Sequence, residues 1–139
     1  MTTQSINLKK IQKHLCFLSD GDIEDTWGTF VTTEDIRRCI DENRLESIPY
    51  SVAQEMGDIN YSHAERIAYL VLNKDDTPID IDVGVPSAGC VVQFGHYIVD
   101  GNHRCVAAIF RGDKTIYAEI SGELDYVRKL FGKKVADAC

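Results

Sequence analysis

Apolar residues recur along the chain at two periods, and the alternation between them outlines the elements. Ile6, Ile11, Leu15 and Leu18 fall at helical intervals and predict an amphipathic first helix ending near Ser19-Asp20-Gly21. Thr33 followed by Glu34, Asp35, Ile36, Cys39 and Ile40 predicts a capped helix running to about Asn43. Ile48-Pro49-Tyr50 breaks it, and Ser51 to Gly57 reads as a further short turn of helix. From Asn60 or Ser62, the positions Ala64, Ile67, Ala68, Val71 and Leu72 mark the buried face of another helix, closed by the polar loop Asn73 to Pro78. The period then drops to two: Ile79-Asp80-Ile81-Asp82-Val83 alternates apolar and acidic, as a half-buried strand does. Gly84 to Gly89 forms a Pro/Gly/Ser loop, and Cys90 to Phe94 with His96 to Val99 predicts a hairpin about Gly95. Helical spacing returns over Cys105 to Phe110, Thr115 to Ile120 supplies a strand, and Leu124, Val127, Leu130 and Phe131 mark a terminal helix.

With no repeat or low-complexity tract, this order reads as one α+β domain over residues 1–139. Its parts are a helical N-terminal extension (1–57), a mixed-sheet core (58–122) and a C-terminal helix (123–139). A chain of 139 residues is long enough to bury a real core, and its 44% hydrophobic content is that of a globular protein. The run Ile67 to Leu72 is too short to cross a bilayer, and Met1 to Ser5 lacks the basic start of a signal peptide; the expectation is a cytoplasmic protein without membrane contact.

Two compositional features narrow the chemistry. The five cysteines (Cys16, Cys39, Cys90, Cys105, Cys139) contain no C-x-x-C pair, which favours free buried thiols, with terminal Cys139 exposed, and gives no expectation of a structural metal. No pair of histidines with a carboxylate has zinc-site spacing either, and His14 and His96 read as surface or turn residues. Twenty-two acidic against fifteen basic residues give a net charge of −7, which disfavours DNA as a partner, since a duplex binder needs a basic face. The compact basic run Arg128-Lys129…Lys133-Lys134 is read as cations placed at the end of the last helix, and Trp27 as a packing anchor.

The candidate site is Asp100-Gly101-Asn102-His103-Arg104. A short apolar run, Tyr97 to Val99, ends in a turn sequence, and helical spacing follows as far as Gly112, a good helix stop. Asn102 is expected to cap the helix. Unpaired N–H groups and the positive dipole end then converge on one spot, an arrangement suited to phosphate. His103 and Arg104 lie in the first turn, where cations are disfavoured unless an anion is present.

Three segments together resemble the ParB/sulfiredoxin-like superfamily: His63-Ala64-Glu65-Arg66-Ile67; Pro78-Ile79-Asp80-Ile81-Asp82-Val83; and Ile98 to Arg104 with Ala107-Ala108, Gly112 and Ile116. The likeness spans about Tyr61 to Gly122. It implies a helix, a strand, a second strand ending in an Asp-Gly-x-[HR]-Arg box, a helix with a small-residue pair, and a final strand. It also implies nucleotide or phosphate binding through the box. Members include CTP-binding partition proteins, sulfiredoxins, a free-serine kinase and proteins described as nucleases. Where sulfiredoxins carry the reactive cysteine this chain has Asn102, so thiol chemistry is not expected, and the first-turn placement of Cys105 leaves room for mild reactivity without a catalytic role. Partition proteins carry an acidic residue and two arginines after the Gly, and a helical DNA-binding domain beyond; here those positions are Asn102, His103 and Arg104 and about seventeen residues follow Gly122, so a centromere-binding role is not expected.

Roles follow from the resemblance and from side-chain chemistry. Gly101, Asn102, His103 and Arg104 would bind phosphate, with Arg104 as the planar, permanently charged fork. His103 would donate to the phosphate, or act as acid or base if its pKa stays near neutral. Asp100 would either orient the box or act as general base or magnesium ligand. A phosphotransferase or NTPase using a nucleoside triphosphate with Mg²⁺ needs a second acid, and Glu65 is the candidate, unless it is an ordinary solvated helix residue. His63 and Arg66 share one helix face, which either closes over a nucleotide or faces water. Three readings stay open: an enzyme, a non-catalytic nucleotide-binding regulatory or accessory module, and a nucleic-acid-processing protein. A second acid at the pocket, Glu65 or Asp82, discriminates between the first two.

Overall fold

Ile79, Ile81 and Val83 are wholly buried while Asp82 faces outward, so the alternation read from the sequence sets one face of β4 (Ile79–Asp82) against the core. In the computed structural model, which describes residues 2–15, 18–19, 22–23, 31–84 and 98–139, β4 is an inner strand of a four-stranded mixed sheet. Its neighbours are β5 (Ile98–Asp100), antiparallel, and β6 (Thr115–Ser121), parallel. The far edge is β1 (Thr3–Asn7), antiparallel to β6 with Ile6 opposite Ile116. A separate two-stranded ribbon joins β2 (Leu18–Ser19) to β3 (Asp22–Ile23). Expectations for Trp27, Cys16, Cys90, His96, Tyr97, the loop to Gly89 and the turn of the hairpin at Gly95 fall outside the described residues, as does the side chain of His14.

The α+β class therefore holds, with a correction at the N-terminus. The first helix, α1, spans only Leu8–Leu15, and the residues before it form β1 rather than helix. Thr3-Gln4-Ser5-Ile6 carries one apolar residue, too few to fix a period, and pairing with β6 decides its state. The N-terminal segment is thus part of the sheet as well as a helical extension.

The remaining helices are α2 (Thr33–Asp41), α3 (Tyr50–Glu55), α4 (His63–Leu72), α5 (Asn102–Arg111), α6 (Leu124–Phe131) and α7 (Lys133–Ala138). The cap of α2 is Thr32, one residue earlier than expected: its hydroxyl accepts from Asp35 N while the Asp35 carboxylate accepts from Thr32 N, a complete capping box. The terminal helix is broken at Gly132 (φ 98°, ψ 168°), so only Arg128 and Lys129 lie in a last turn, that of α6; Lys133 and Lys134 open α7 instead.

Two apolar clusters meet on α5. Cys105 and Ala108 pack with the sheet, α1, α6 and α7, around Ile11, Ile81 and Phe131. Val106 and Ala107 pack with Ile36 of α2 and Ile67 and Leu70 of α4. The small pair Ala107-Ala108 is thereby split between the two sides, which lets α5 lie close to both layers and bury both faces. Arg111 fixes the far end of that contact, its Nη1 donating to Leu70 O (2.7 Å) and its Nε and Nη2 to Asp113 Oδ2. On α4 the buried face differs from the expected one: Leu72 is exposed and Arg66 is buried. Among the described residues no helix is long and apolar enough to cross a membrane.

Candidate functional site

Strand, turn and helix start occur where the box predicts them. β5 ends at Asp100, Gly101 turns the chain with φ 103°, and α5 begins at Asn102. The N-cap is Gly101, not Asn102, and no side chain caps the helix. The reason is space as well as dihedral: a Cβ on Gly101 would lie 2.4 Å from Ile79 Cγ2 and 2.8 Å from Ile79 Cβ. Only a residue without a side chain lets the turn sit this close to β4. The first intrahelical bond runs from Cys105 N to Gly101 O (2.9 Å), so the N–H groups of Asn102, His103 and Arg104 lie outside the helical ladder. At the other end Gly112 caps α5 in the left-handed conformation, as expected (φ 80°).

A cleft of about 350 Å³ opens against this turn. One wall is the box itself, from Val99 to Arg104. Helix α3 supplies Tyr50 and Gln54, and α4 supplies Arg66 and Leu70. Among the described residues that line it, Asp100 alone carries a carboxylate, and its side chain is 69% exposed.

The two arginines are in different states. Arg104 Nη2 donates to Pro78 O (3.1 Å) and stands 3.5 Å from Asp100 Oδ2, while its buried Nε has no hydrogen-bond partner among the described residues. Arg66 is only 8% exposed, yet no carboxylate lies within ion-pair distance of it among the described residues. Its Nη1 donates to the carbonyls of Ser47 (2.9 Å) and Glu46 (3.3 Å), and its guanidinium lies 5.5 Å from the Tyr69 ring centroid. A buried charge without a counter-ion is costly unless something else compensates it. A smaller neighbouring cleft of about 160 Å³, on the far side of Arg104, shows the contrast. There Lys74 pairs with Asp76 and Asp113, and Arg111 with Asp113 at 2.8 Å, so its charges already balance.

His103 lies beside the arginines and is joined to His63, the first residue of α4: His63 Nδ1 and His103 Nε2 are 2.8 Å apart. The rings are within 9° of parallel at a centroid separation of 5.0 Å, the N···N distance plus two ring radii, which describes an edge-to-edge hydrogen bond rather than face-to-face stacking. Tyr50 packs on His63 (4.7 Å between centroids) and on Tyr61 (5.2 Å), and Tyr61 Oη donates to Ile48 O at 2.7 Å. Burial pushes the Tyr61 phenol up to about 12, so it stays a neutral donor. Burial, then the charges of His63, Arg66 and Arg104, push His103 down to about 3, and burial also lowers His63. The near-neutral pKa that acid–base work by His103 requires is therefore absent in this state.

The other expected acids lie elsewhere. Glu65 does not line the cleft; its charge bears on Cys39 and Arg44 on the α2 side of α4, and its carbonyl accepts from Glu46 N. Asp82 is exposed, with Oδ1 accepting from Gly84 N. On the His63/Arg66 helix face, Arg66 is buried and lines the cleft rather than facing water. Tyr50, which reads in the sequence only as part of a helix break, and the His63–His103 contact are the features that sequence reasoning misses.

Cys105 is a free buried thiol, as the scattered cysteines predict, and burial pushes it up to about 12, so its first-turn placement does not yield an activated thiolate. Alkylation of the native protein followed by peptide mapping is expected to modify exposed Cys139 and leave Cys105 intact until denaturant is added. Labelling of Cys105 at the Cys139 rate would overturn this. Among the described residues no group of three His, Cys, Asp or Glu side chains is placed to hold a metal ion.

No known protein family, no curated protein and no solved structure matches the chain.

Proposed function

We propose that the cleft at the start of α5 binds the phosphate group of a nucleotide or similar phosphorylated small molecule, and that the chain is a ParB/sulfiredoxin-like binding module. The observation that carries this is Arg66: a buried guanidinium with no carboxylate beside it among the described residues, opening on the same cleft as Arg104 and the first-turn N–H groups of α5. An anion there supplies the counter-charge. The order helix, β4, β5 ending in the box, α5 with its small pair, Gly112 and β6 supports the superfamily reading. Tyr50, at the cleft wall and held by two further rings, offers a face for a planar base.

The reading stops at binding because neither Glu65 nor Asp82 lines the cleft, so among the described residues no second acid for phosphotransfer stands beside Asp100. A magnesium ion accompanying a nucleotide would be held by phosphate oxygens, water and Asp100. The net charge of −7 keeps nucleic acid a disfavoured partner.

A thermal-shift screen of ATP, CTP, GTP and the nucleoside monophosphates, with and without Mg²⁺, tests the reading, since a ligand selective for the folded state raises its apparent stability. At least one phosphorylated compound is expected to stabilise the protein where its nucleoside does not. Equal shifts from nucleotide and nucleoside would remove the phosphate site. Arg66→Gln removes the charge while keeping a polar side chain, and is expected to weaken binding by about 1.5–3 kcal/mol, the usual worth of a charged hydrogen bond. Unchanged affinity in a folded Arg66→Gln protein would assign the anion to another place.

A further inference from the structure

Two imidazole nitrogens 2.8 Å apart hold one proton between them: one ring donates and the other accepts. A second proton on such a pair enters at an outer nitrogen and turns the central contact into a charge-assisted hydrogen bond, without moving either ring. The pair between His63 and His103 is therefore built to hold either no net charge or one. The groups that face it, of which those among the described residues follow, decide which. From α5 and β5 these are Arg104 and Asp100; from α4, Arg66, with Glu65 turned toward Cys39 and Arg44. From α3 comes Tyr50, and from the segment before α4 comes Tyr61, with Asp58 and Glu46 acting on it. Of these, Arg66 and Arg104 act directly on His103 and oppose a charge on it.

We propose that an anion entering the cleft is bound together with one proton, which the His63–His103 pair takes up from solvent at an outer ring nitrogen. This rests on the cleft's being an anion site, as argued above. A doubly charged tetrahedral anion set between Arg66 and Arg104 cancels their two charges and, as an acceptor beside His103 on the cleft wall, favours the proton that the two guanidiniums oppose. The bound group then has an imidazolium beside it. By linkage, a ligand whose binding takes up a proton binds more tightly as pH falls. The burial that disfavours charge on both rings sets the direction of the change.

Sulfate is the probe, because it stays doubly charged throughout the working range and contributes no ionisation of its own. Its affinity for the full chain, measured by NMR shift titration, is expected to rise as pH falls from about 8.5 to about 6, approaching about tenfold per pH unit at the acid end. His63→Gln, which removes the ring that shares the proton, is expected to flatten that dependence. In the wild type, the His63 and His103 ring carbons are expected to move to imidazolium positions on adding sulfate at about pH 6, a readout that does not depend on the variant's folding. Sulfate affinity that is constant with pH, a dependence unaltered in His63→Gln, or ring shifts that stay neutral with sulfate bound would each overturn the proton uptake while leaving the anion site standing. Failure of sulfate to bind at any pH would overturn both.

Discussion

Gly101→Ala is expected to destabilise the protein by about 2–4 kcal/mol. Two costs combine. The backbone at Gly101 has φ 103°, a conformation that an L side chain adopts only with strain of about 1–2 kcal/mol. The added carbon would also lie 2.4 Å from Ile79 Cγ2, and Ile79 is fully buried in β4, so relief requires moving strand or turn. Gly112→Ala separates the two. Gly112 has φ 80°, but a methyl added there would meet nothing within 4 Å, so it carries the backbone cost alone, about 1–2 kcal/mol. Urea midpoints of both variants at unchanged m-value give the comparison. If Gly101→Ala costs no more than Gly112→Ala, the close packing of the box on Ile79 is wrong, and with it the shape of the cleft wall.

The strand–turn–helix of the box is legible in the sequence because its causes are local. Asp100-Gly101 carries turn chemistry, Cys105 to Phe110 carries helical spacing, and Gly112 carries a stop; none of these depends on a distant partner. The alternation of Ile79 to Val83 is local in the same sense. The cap lies one residue before the expected Asn102 because Asn is the better capping side chain in isolation, whereas contact with Ile79 in β4 forces glycine into the cap. The strand state of β1 escapes a sequence reading because its partner, β6, is more than a hundred positions away, and Ile6 is inward-facing in either geometry. The acceptors that bury Arg66 belong to the segment before α3, and the ring that joins His103 belongs to α4. A helix face with His63 and Arg66 on it reads as solvated until those neighbours are placed. The turn of the candidate site is therefore written locally, while its electrostatics, two cations facing a cleft and a neutral imidazole pair, are products of tertiary contact.

Arg104→Ala is expected to weaken binding of the phosphorylated ligand by about 1.5–3 kcal/mol, roughly 10- to 150-fold, while the protein remains folded. Arg104 is the guanidinium on the first turn of α5, beside the N–H groups outside the ladder, and its buried Nε lacks a hydrogen-bond partner among the described residues. Its Nη2 is held by Pro78 O, which fixes the plane of the fork before any ligand arrives and reduces the ordering cost of binding. Losing that carbonyl contact costs stability too, about 1.5–3 kcal/mol for a charged hydrogen bond, within what a domain of this size tolerates. Arg104→Lys tests the geometry rather than the charge. A lysine ammonium can reach one acceptor as a point charge, but it cannot hold Pro78 O with one nitrogen while presenting others in a plane. Titration of both variants with the ligand of largest thermal shift is expected to rank wild type well above Arg104→Lys, with Arg104→Ala close to it. Equal affinity of wild type and Arg104→Ala would exclude Arg104 from the site, and recovery by Arg104→Lys would replace the planar fork with simple charge attraction.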